Sequence, residues 1–286
     1  MPYTHLITVT QLQALQASGA PLMVFDCSFD LSDPAKADAL FVEQHIAGAR
    51  QAHLDRDLSA HAPADAVNGG RHPLPTRERF AAWLSRTGFA NDMQAVVYDC
   101  NGANYCGRLW WMLKWAGHDA VAVLDGGLQA WQAAGGAMES GPARGAPATA
   151  FRLGTELRRL ALIDEVRARL DRPTQTLIDA RGGPRFRGEV EPLDPVGGHI
   201  PGALNRPFTD NFDADGRFKP PAQLRAEFDR LLAGRDPASA VHQCGSGVSA
   251  LPNLIAMELA GYALTALYGG SWSEWSRTPG LPVAKG

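Results

Sequence analysis

Short apolar runs alternate with amphipathic stretches along this chain, and the order in which they come is given twice. In the first half, a helical pattern over 9–17 precedes an apolar strand over 22–25 that ends in Asp26. A charged stretch leads to His45-Ile46-Ala47-Gly48-Ala49, and then to a polar excursion over 55–75, rich in Asp, His, Gly and Pro. A helix over 76–86, a strand over 95–98, a loop opening with Cys100 and a Trp-rich helix over 109–116 follow. A strand over 120–124 then runs into Gly126-Gly127 and a helix containing Trp131. The second half opens with a helix over 162–170 and a strand over 176–178 that ends in Asp179. His199-Ile200-Pro201-Gly202-Ala203 matches the earlier His-Ile-Ala-Gly-Ala. A helix over 221–232, a strand ending at Ala240-Val241, a loop opening with Cys244 and a helix over 250–259 come next. Gly261, a strand over 264–267, Gly269-Gly270 and Trp275 close the second pass.

Cys100 and Cys244 are 144 residues apart, as are Gly117 and Gly261, so the two loop–helix units are expected to be equivalent. Self-similarity at that distance far exceeds a solenoid period and implies a duplicated domain. Short apolar strands alternating with helices imply an α/β fold, with a doubly wound parallel sheet flanked by helices in each half. The expected domains are 1–138 and 158–286, with 139–157, rich in Gly, Pro, Ala and Arg, as the linker. In such sheets ligands bind beyond the carboxyl ends of the strands, where Asp26, Asp179, Cys100 and Cys244 all fall. The tryptophans at 110, 111 and 115 are spaced for a helix packed into a core and are given no substrate role.

Composition narrows the function classes. At 286 residues the chain can build two cores, and it is 45% hydrophobic and 20% charged, with no low-complexity tract. A net charge of −3 gives no reason to expect nucleic-acid binding. No apolar run approaches membrane-spanning length, and residues 1–11 lack the basic and apolar regions of a secretory signal. Four cysteines are too few for a disulfide scaffold and are not spaced as zinc ligands, so a cytoplasmic, reducing setting is expected.

The stretch Cys244-Gly245-Ser246-Gly247-Val248-Ser249 carries the candidate chemistry. Glycines let consecutive backbone N–H groups turn inward as an anion-binding nest, and the following helix adds its positive N-terminal end. Such surroundings favour the thiolate, and the thiol is expected to be exposed enough to react. A buried, inert cysteine is the commoner fate of a free thiol, but two glycines and a hydroxyl beside this one favour a nucleophile.

These residues, with the duplicated pattern and the ending Tyr268-Gly-Gly-Ser-Trp-Ser-Glu-Trp275, resemble the tandem-domain rhodaneses. The Cys244 loop is most similar to that of the 3-mercaptopyruvate sulfurtransferases, usually Cys-Gly-Ser-Gly-Val-Thr. The resemblance implies two tandem rhodanese-like domains, of which the second is active and the first has lost the catalytic loop. It implies a persulfide on Cys244, with Gly245, Gly247, Val248 and Ser249 in the loop that holds the anion, and no metal or organic cofactor. Donors would be small molecules, mercaptopyruvate or thiosulfate. The acceptor would be cyanide, a thiol or a thioredoxin-like protein, and a monomer is expected.

By the same resemblance Ser246 joins Asp55 and His72 of the N-terminal domain in a proton relay, with Asp57 close enough in sequence to compete with Asp55. Two arginines would bind the keto-acid donor. Arg185 matches the first, but Glu191-Pro192 is followed by Leu193 and Asp194 where the second is usual. Arg187 or Arg181 could substitute, or could instead be partners of Asp179 or Glu189. Cys100 stands where the first domain usually has another residue, and with Cys106 could form a redox pair or be a leftover thiol, as could Cys27. Neutral Gly245 and Ser246 tilt the donor toward mercaptopyruvate over thiosulfate. Ala250 stands where a Cys-x5-Arg phosphatase needs arginine, and an intact loop argues against an inert sulfur-relay or binding module.

Overall fold

The computed structural model describes residues 1–286, which divide into two compact units. The first contains β1 (Leu6–Ile7), α1 (Val9–Ala17), β2 (Leu22–Asp26), α2 (Lys36–Glu43), β3 (His45–Ile46), β4 (Arg50–Gln51) and α3 (Arg77–Thr87). It continues with β5 (Gln94–Tyr98), α4 (Cys106–Trp115), β6 (Val121–Leu124), α5 (Gly127–Ala133) and β7 (Met138–Glu139). The second contains β8 (Arg159–Ala161), α6 (Ile163–Ala168), β9 (Thr176–Asp179), α7 (Gly183–Phe186) and β10 (Leu204–Asn205). It ends with α8 (Pro221–Leu232), β11 (Ala240–Gln243), α9 (Leu251–Leu259), β12 (Ala266–Tyr268) and α10 (Ser271–Trp275).

Each unit is built on a five-stranded sheet, in the orders β1-β6-β5-β2-β4 and β8-β12-β11-β9-β10, and every pairing is parallel. Taken in chain order within each unit, the two strand orders are the same, which is the duplication seen as topology. The central strands β5 and β11 are buried along their whole length, as strands covered on both faces should be, although β11 ends in the polar pair His242-Gln243. Trp131 and Val96 sit in the core of the first sheet, and Trp272 and Val241 in that of the second.

The repeated His-Ile-x-Gly-Ala segments are structural. His45 stacks on Phe41 with centroids 3.9 Å apart, and its Nδ1 lies 2.7 Å from the Phe41 carbonyl. His199 stacks on Phe186 at 3.8 Å, with Nδ1 2.9 Å from the Phe186 carbonyl. The isoleucines are fully buried, and the glycines, at φ +78° and +77°, make a turn that β-carbon-bearing residues rarely adopt.

Contacts do not follow chain order everywhere. Residues 61–74 group with the second unit, and the stretch 139–157 packs along the first. In that stretch Phe151 is buried, the Thr149 amide donates to Ser85 and the Gly154 amide to Ala116. No helix is long and apolar enough to cross a membrane.

Candidate active site

Cys244 directly follows β11, and seven residues later α9 begins. The loop between them is held from below by the start of α10. Ser271 Oγ accepts the Cys244 N–H at 3.1 Å and itself donates to the Tyr268 carbonyl at 2.9 Å. To do so Ser271 adopts φ +54°, a conformation costing on the order of 1 kcal/mol that such paired contacts can hold in place. The carbonyls of Cys244 and Gly245 accept the amides of Trp272 and Ser273 at 3.0 and 2.8 Å. Gly247 lies at φ +74°, and a β-carbon there would meet the Gly269 carbonyl oxygen at 2.2 Å, so only glycine fits. The N–H groups of Gly245, Ser246, Val248 and Ser249 meet no protein acceptor. The expected exposure of the thiol is not found: Cys244 is 1% accessible.

The first unit shows what this loop shape binds. There the register corrects the expected equivalence of Cys100 with Cys244. Asp26 pairs with Tyr98 as Asp179 pairs with Gln243, so Asp99 is the counterpart of Cys244. The Leu128 amide bonds the Asp99 carbonyl just as the Trp272 amide bonds that of Cys244, and Gly102, at φ +67°, matches Gly247. The 144-residue spacing misleads by one because α4 has ten residues and α9 nine. The Asp99 carboxylate folds into its own loop and accepts four backbone N–H groups. Those of Asn101 and Ala103 donate to Oδ1 at 2.8 and 3.0 Å, and those of Tyr105 and Cys106 to Oδ2, both at 2.8 Å. This carboxylate also caps α4, which therefore starts three residues earlier than the apolar pattern predicts. The first unit thus has a nest of its own, occupied by the chain's own anion.

Cys106 and Cys27 are buried, and burial pushes both thiols well above the ordinary range, with nearby Asp99 and Asp26 adding to it. Cys100 is partly accessible and is also shifted upward by burial. All four cysteines are free thiols, so Cys100 and Cys106 are not bonded to each other.

His72 and Ser246 meet directly: His72 Nδ1 lies 2.7 Å from Ser246 Oγ, and both side chains are buried. His72 was expected from the N-terminal domain, but it sits on the 61–74 segment, which belongs to the second unit. That segment is docked on the residues around α10. The Gly69 amide donates to Glu274 at 2.7 Å, and the Arg71 amide to Ser273 Oγ at 2.9 Å. Gly70, at φ +92°, passes so close to the Gly270 carbonyl that a β-carbon would lie 2.6 Å from its oxygen. Asp55 lies in the first unit, where its amide donates to His53 Nδ1 at 3.2 Å. Asp57 closes the same turn by accepting the His53 amide at 2.9 Å, a structural task.

The arginines divide in two groups. Arg187 is in an exposed pair with Glu189 at 2.7 Å. Arg181 is bound to the strand-end Asp179 at 2.7 Å and lies over the Trp272 ring. Neither is brought to the Cys244 loop. Arg185 is: its terminal nitrogens lie 3.6 and 3.8 Å from where a Gly245 β-carbon would be. It is steadied there by Glu191 at 2.7 Å and Asp194 at 3.4 Å. Closer still is Arg71, whose Nη2 is 3.1 Å from the same point. Arg71 was not among the residues expected at the site; it is brought there because residues 61–74 belong to the second unit.

The sequence matches the rhodanese-like domain twice, over residues 8–134 and 162–278. It is 47% identical, over the full length of both chains, to a probable 3-mercaptopyruvate sulfurtransferase of Pseudomonas aeruginosa. It is 38% identical to a putative thiosulfate sulfurtransferase of Mycobacterium tuberculosis, over 98% of this chain and 97% of that one. Among solved structures, a 3-mercaptopyruvate sulfurtransferase from Leishmania major superposes with a TM-score of 0.82 at 31% identity, covering 96% of this chain and 74% of the other.

Proposed function

This chain belongs to the rhodanese-like domain family, and from that premise we propose that it is a sulfurtransferase moving sulfane sulfur from 3-mercaptopyruvate to a thiol or cyanide. The observation that carries the reading is Cys244 at the mouth of a loop whose first-unit counterpart holds a carboxylate in four amides. A loop that binds that anion can stabilise a thiolate and then a persulfide anion. On this reading residues 158–286 carry the catalytic domain and 1–138 a rhodanese-like domain whose loop is filled.

The Cys244 thiolate attacks the donor sulfur, the carbon–sulfur bond breaks, and its electron pair leaves as pyruvate enolate. The enzyme keeps Cys–S–SH. The enolate carbon gains a proton from the Ser246 hydroxyl, which His72 replenishes through the 2.7 Å contact. Asp55 is assigned as the third relay member from the sequence correspondence. A cyanide or thiolate acceptor then attacks the outer sulfur and restores the Cys244 thiolate. A small thiol or a thioredoxin-like protein in a reducing, cytoplasmic setting fits this step, and the chain acts as a monomer.

Steady-state kinetics with mercaptopyruvate and thiosulfate side by side, using cyanide and a small thiol as acceptors, tests the assignment. A higher kcat/KM for mercaptopyruvate is expected. A reversed preference would make the chain a thiosulfate sulfurtransferase, which Leu193 in place of the usual second arginine favours. Turnover of neither donor would leave a sulfur-relay role with a protein acceptor.

A further inference from the structure

We propose that a second cavity of the catalytic unit, lined by none of the residues that surround Cys244, binds a small oxyanion, a carboxylate or a phosphate. It has a volume of about 400 Å³ and lies between the end of β10 and α8. That is the carboxyl end of an edge strand, the side of the sheet on which α/β proteins bind ligands. Its charged lining sets Arg206, Lys219 and Arg230 against Asp210 and Glu227, which leaves one positive charge unneutralised.

The excess charge sits on identifiable atoms. Arg206 is only 6% exposed, and its guanidinium lies over the Phe228 ring at 4.3 Å. Its Nε donates to Asn211 at 3.0 Å, and its Nη2 donates to Glu227 at 2.8 Å and to the Asp210 carbonyl at 3.2 Å. Nη1 has no acceptor within the chain, although buried polar groups are as a rule hydrogen-bonded. Lys219 draws on the same Glu227 carboxylate at 3.0 Å, so one acid serves two cations. Arg230, one turn beyond Glu227 on α8, is exposed and has no ion pair. Unspent N–H groups on two guanidiniums beside an ammonium match the oxygens of a carboxylate or a phosphate. The site is also preformed. The Arg206 amide donates to the Asp179 carbonyl at 2.9 Å, and its carbonyl accepts Asn253 Nδ2 of α9 at 2.8 Å, so its backbone is fixed without a ligand. The volume exceeds what a bare ion fills and lies within the range of small-molecule sites, so the anion is expected to carry an organic remainder.

Phenylglyoxal, which modifies accessible guanidiniums, reads the site directly on the full chain. Inorganic phosphate and acetate, tested separately, are the probes, and modification is followed by peptide mapping. Arg230 is expected to be protected, while Arg152 and Arg169, exposed elsewhere, react as before. Protection by phosphate alone assigns a phosphate ligand, and protection by acetate a carboxylate. Glu227→Gln, which releases Arg206 and Lys219 from their shared acid, should tighten binding of the protecting probe by about ten- to a hundredfold, as a charge-assisted hydrogen bond becomes available to it. If that variant fails to fold, Arg230→Gln on the surface keeps the test. In equilibrium dialysis it should bind one probe ion fewer per chain than wild type, with sulfur transfer unchanged. No protection of Arg230 by either probe would overturn the proposal. So would equal protection of all three arginines, which is the mark of screening by salt, or an affinity unchanged in folded Glu227→Gln.

Discussion

Removing the Ser246 hydroxyl should separate the two donors. Pyruvate enolate must be protonated as it leaves, whereas sulfite leaving thiosulfate needs no proton, and acid–base help of this kind is typically worth about 10²–10⁴ in rate. Ser246→Ala is expected to lower turnover with mercaptopyruvate at least about tenfold, with little effect on thiosulfate. His72→Asn should follow the same pattern, since its ring nitrogen contacts that hydroxyl at 2.7 Å. Equal losses on both donors would mean that Ser246 shapes the thiolate nest and that no relay operates. At this scale the sequence was legible where chemistry sits in a local motif: Cys244, Ser246 and Gly247 are read from six consecutive residues. Arg71 was not, because it comes from a segment more than 170 residues away whose docking depends on Gly70 and on bonds to Ser273 and Glu274.

The same β-strand–loop–helix element has been put to two uses in one chain. In the first, Asp99 fills the nest and caps α4; in the second, the same place in the register is a thiol. Both elements were legible from apolar runs and glycine positions, but the one-residue offset between them was not. Counting from Cys100 to Cys244 assumes helices of equal length, and only strand pairing shows that α9 is shorter. The strand leading to the loop carries a liability of its own. His242 in β11 is fully buried with no hydrogen-bond partner at either ring nitrogen, and burial pushes its pKa down from 6.5 to about 3. The folded state therefore binds fewer protons there than the unfolded chain. Stability is complete above pH 6.5 and falls as pH drops from 6.5 toward 3, by at most about 1.4 kcal/mol per pH unit from this group. Partial burial raises Glu227, but hydrogen bonds from Arg206, Lys219 and Gln223 outweigh it and hold that carboxyl at about 2, so its contribution is lost only below its ordinary 4.5. Denaturant midpoints measured between about pH 7 and 5 should decline, and His242→Leu should remove most of the decline. A flat wild-type profile over that interval would show that the imidazole is not held neutral by burial. Any residual slope in the variant is expected from His118, which burial also lowers.

At the scale of the molecule, duplication supplied two sheets of the same strand order. The alternation of apolar runs was enough to read that architecture from the sequence. Less legible was the sharing of chain between the units. Residues 61–74 look like an excursion of the first half, yet their bonds to the residues around α10 make them part of the second unit, with His72 and Arg71 on them. One thiol out of four, Cys244, is therefore the expected sulfur carrier, although it is buried, while the more accessible Cys100 lies beside a nest already filled by Asp99. Intact mass measured after treatment with mercaptopyruvate, followed by peptide mapping, tests this directly. One added sulfur per chain on the Cys244 peptide, absent from Cys244→Ser, is the expected result; sulfur on Cys27, Cys100 or Cys106 instead, or none at all, would contradict it.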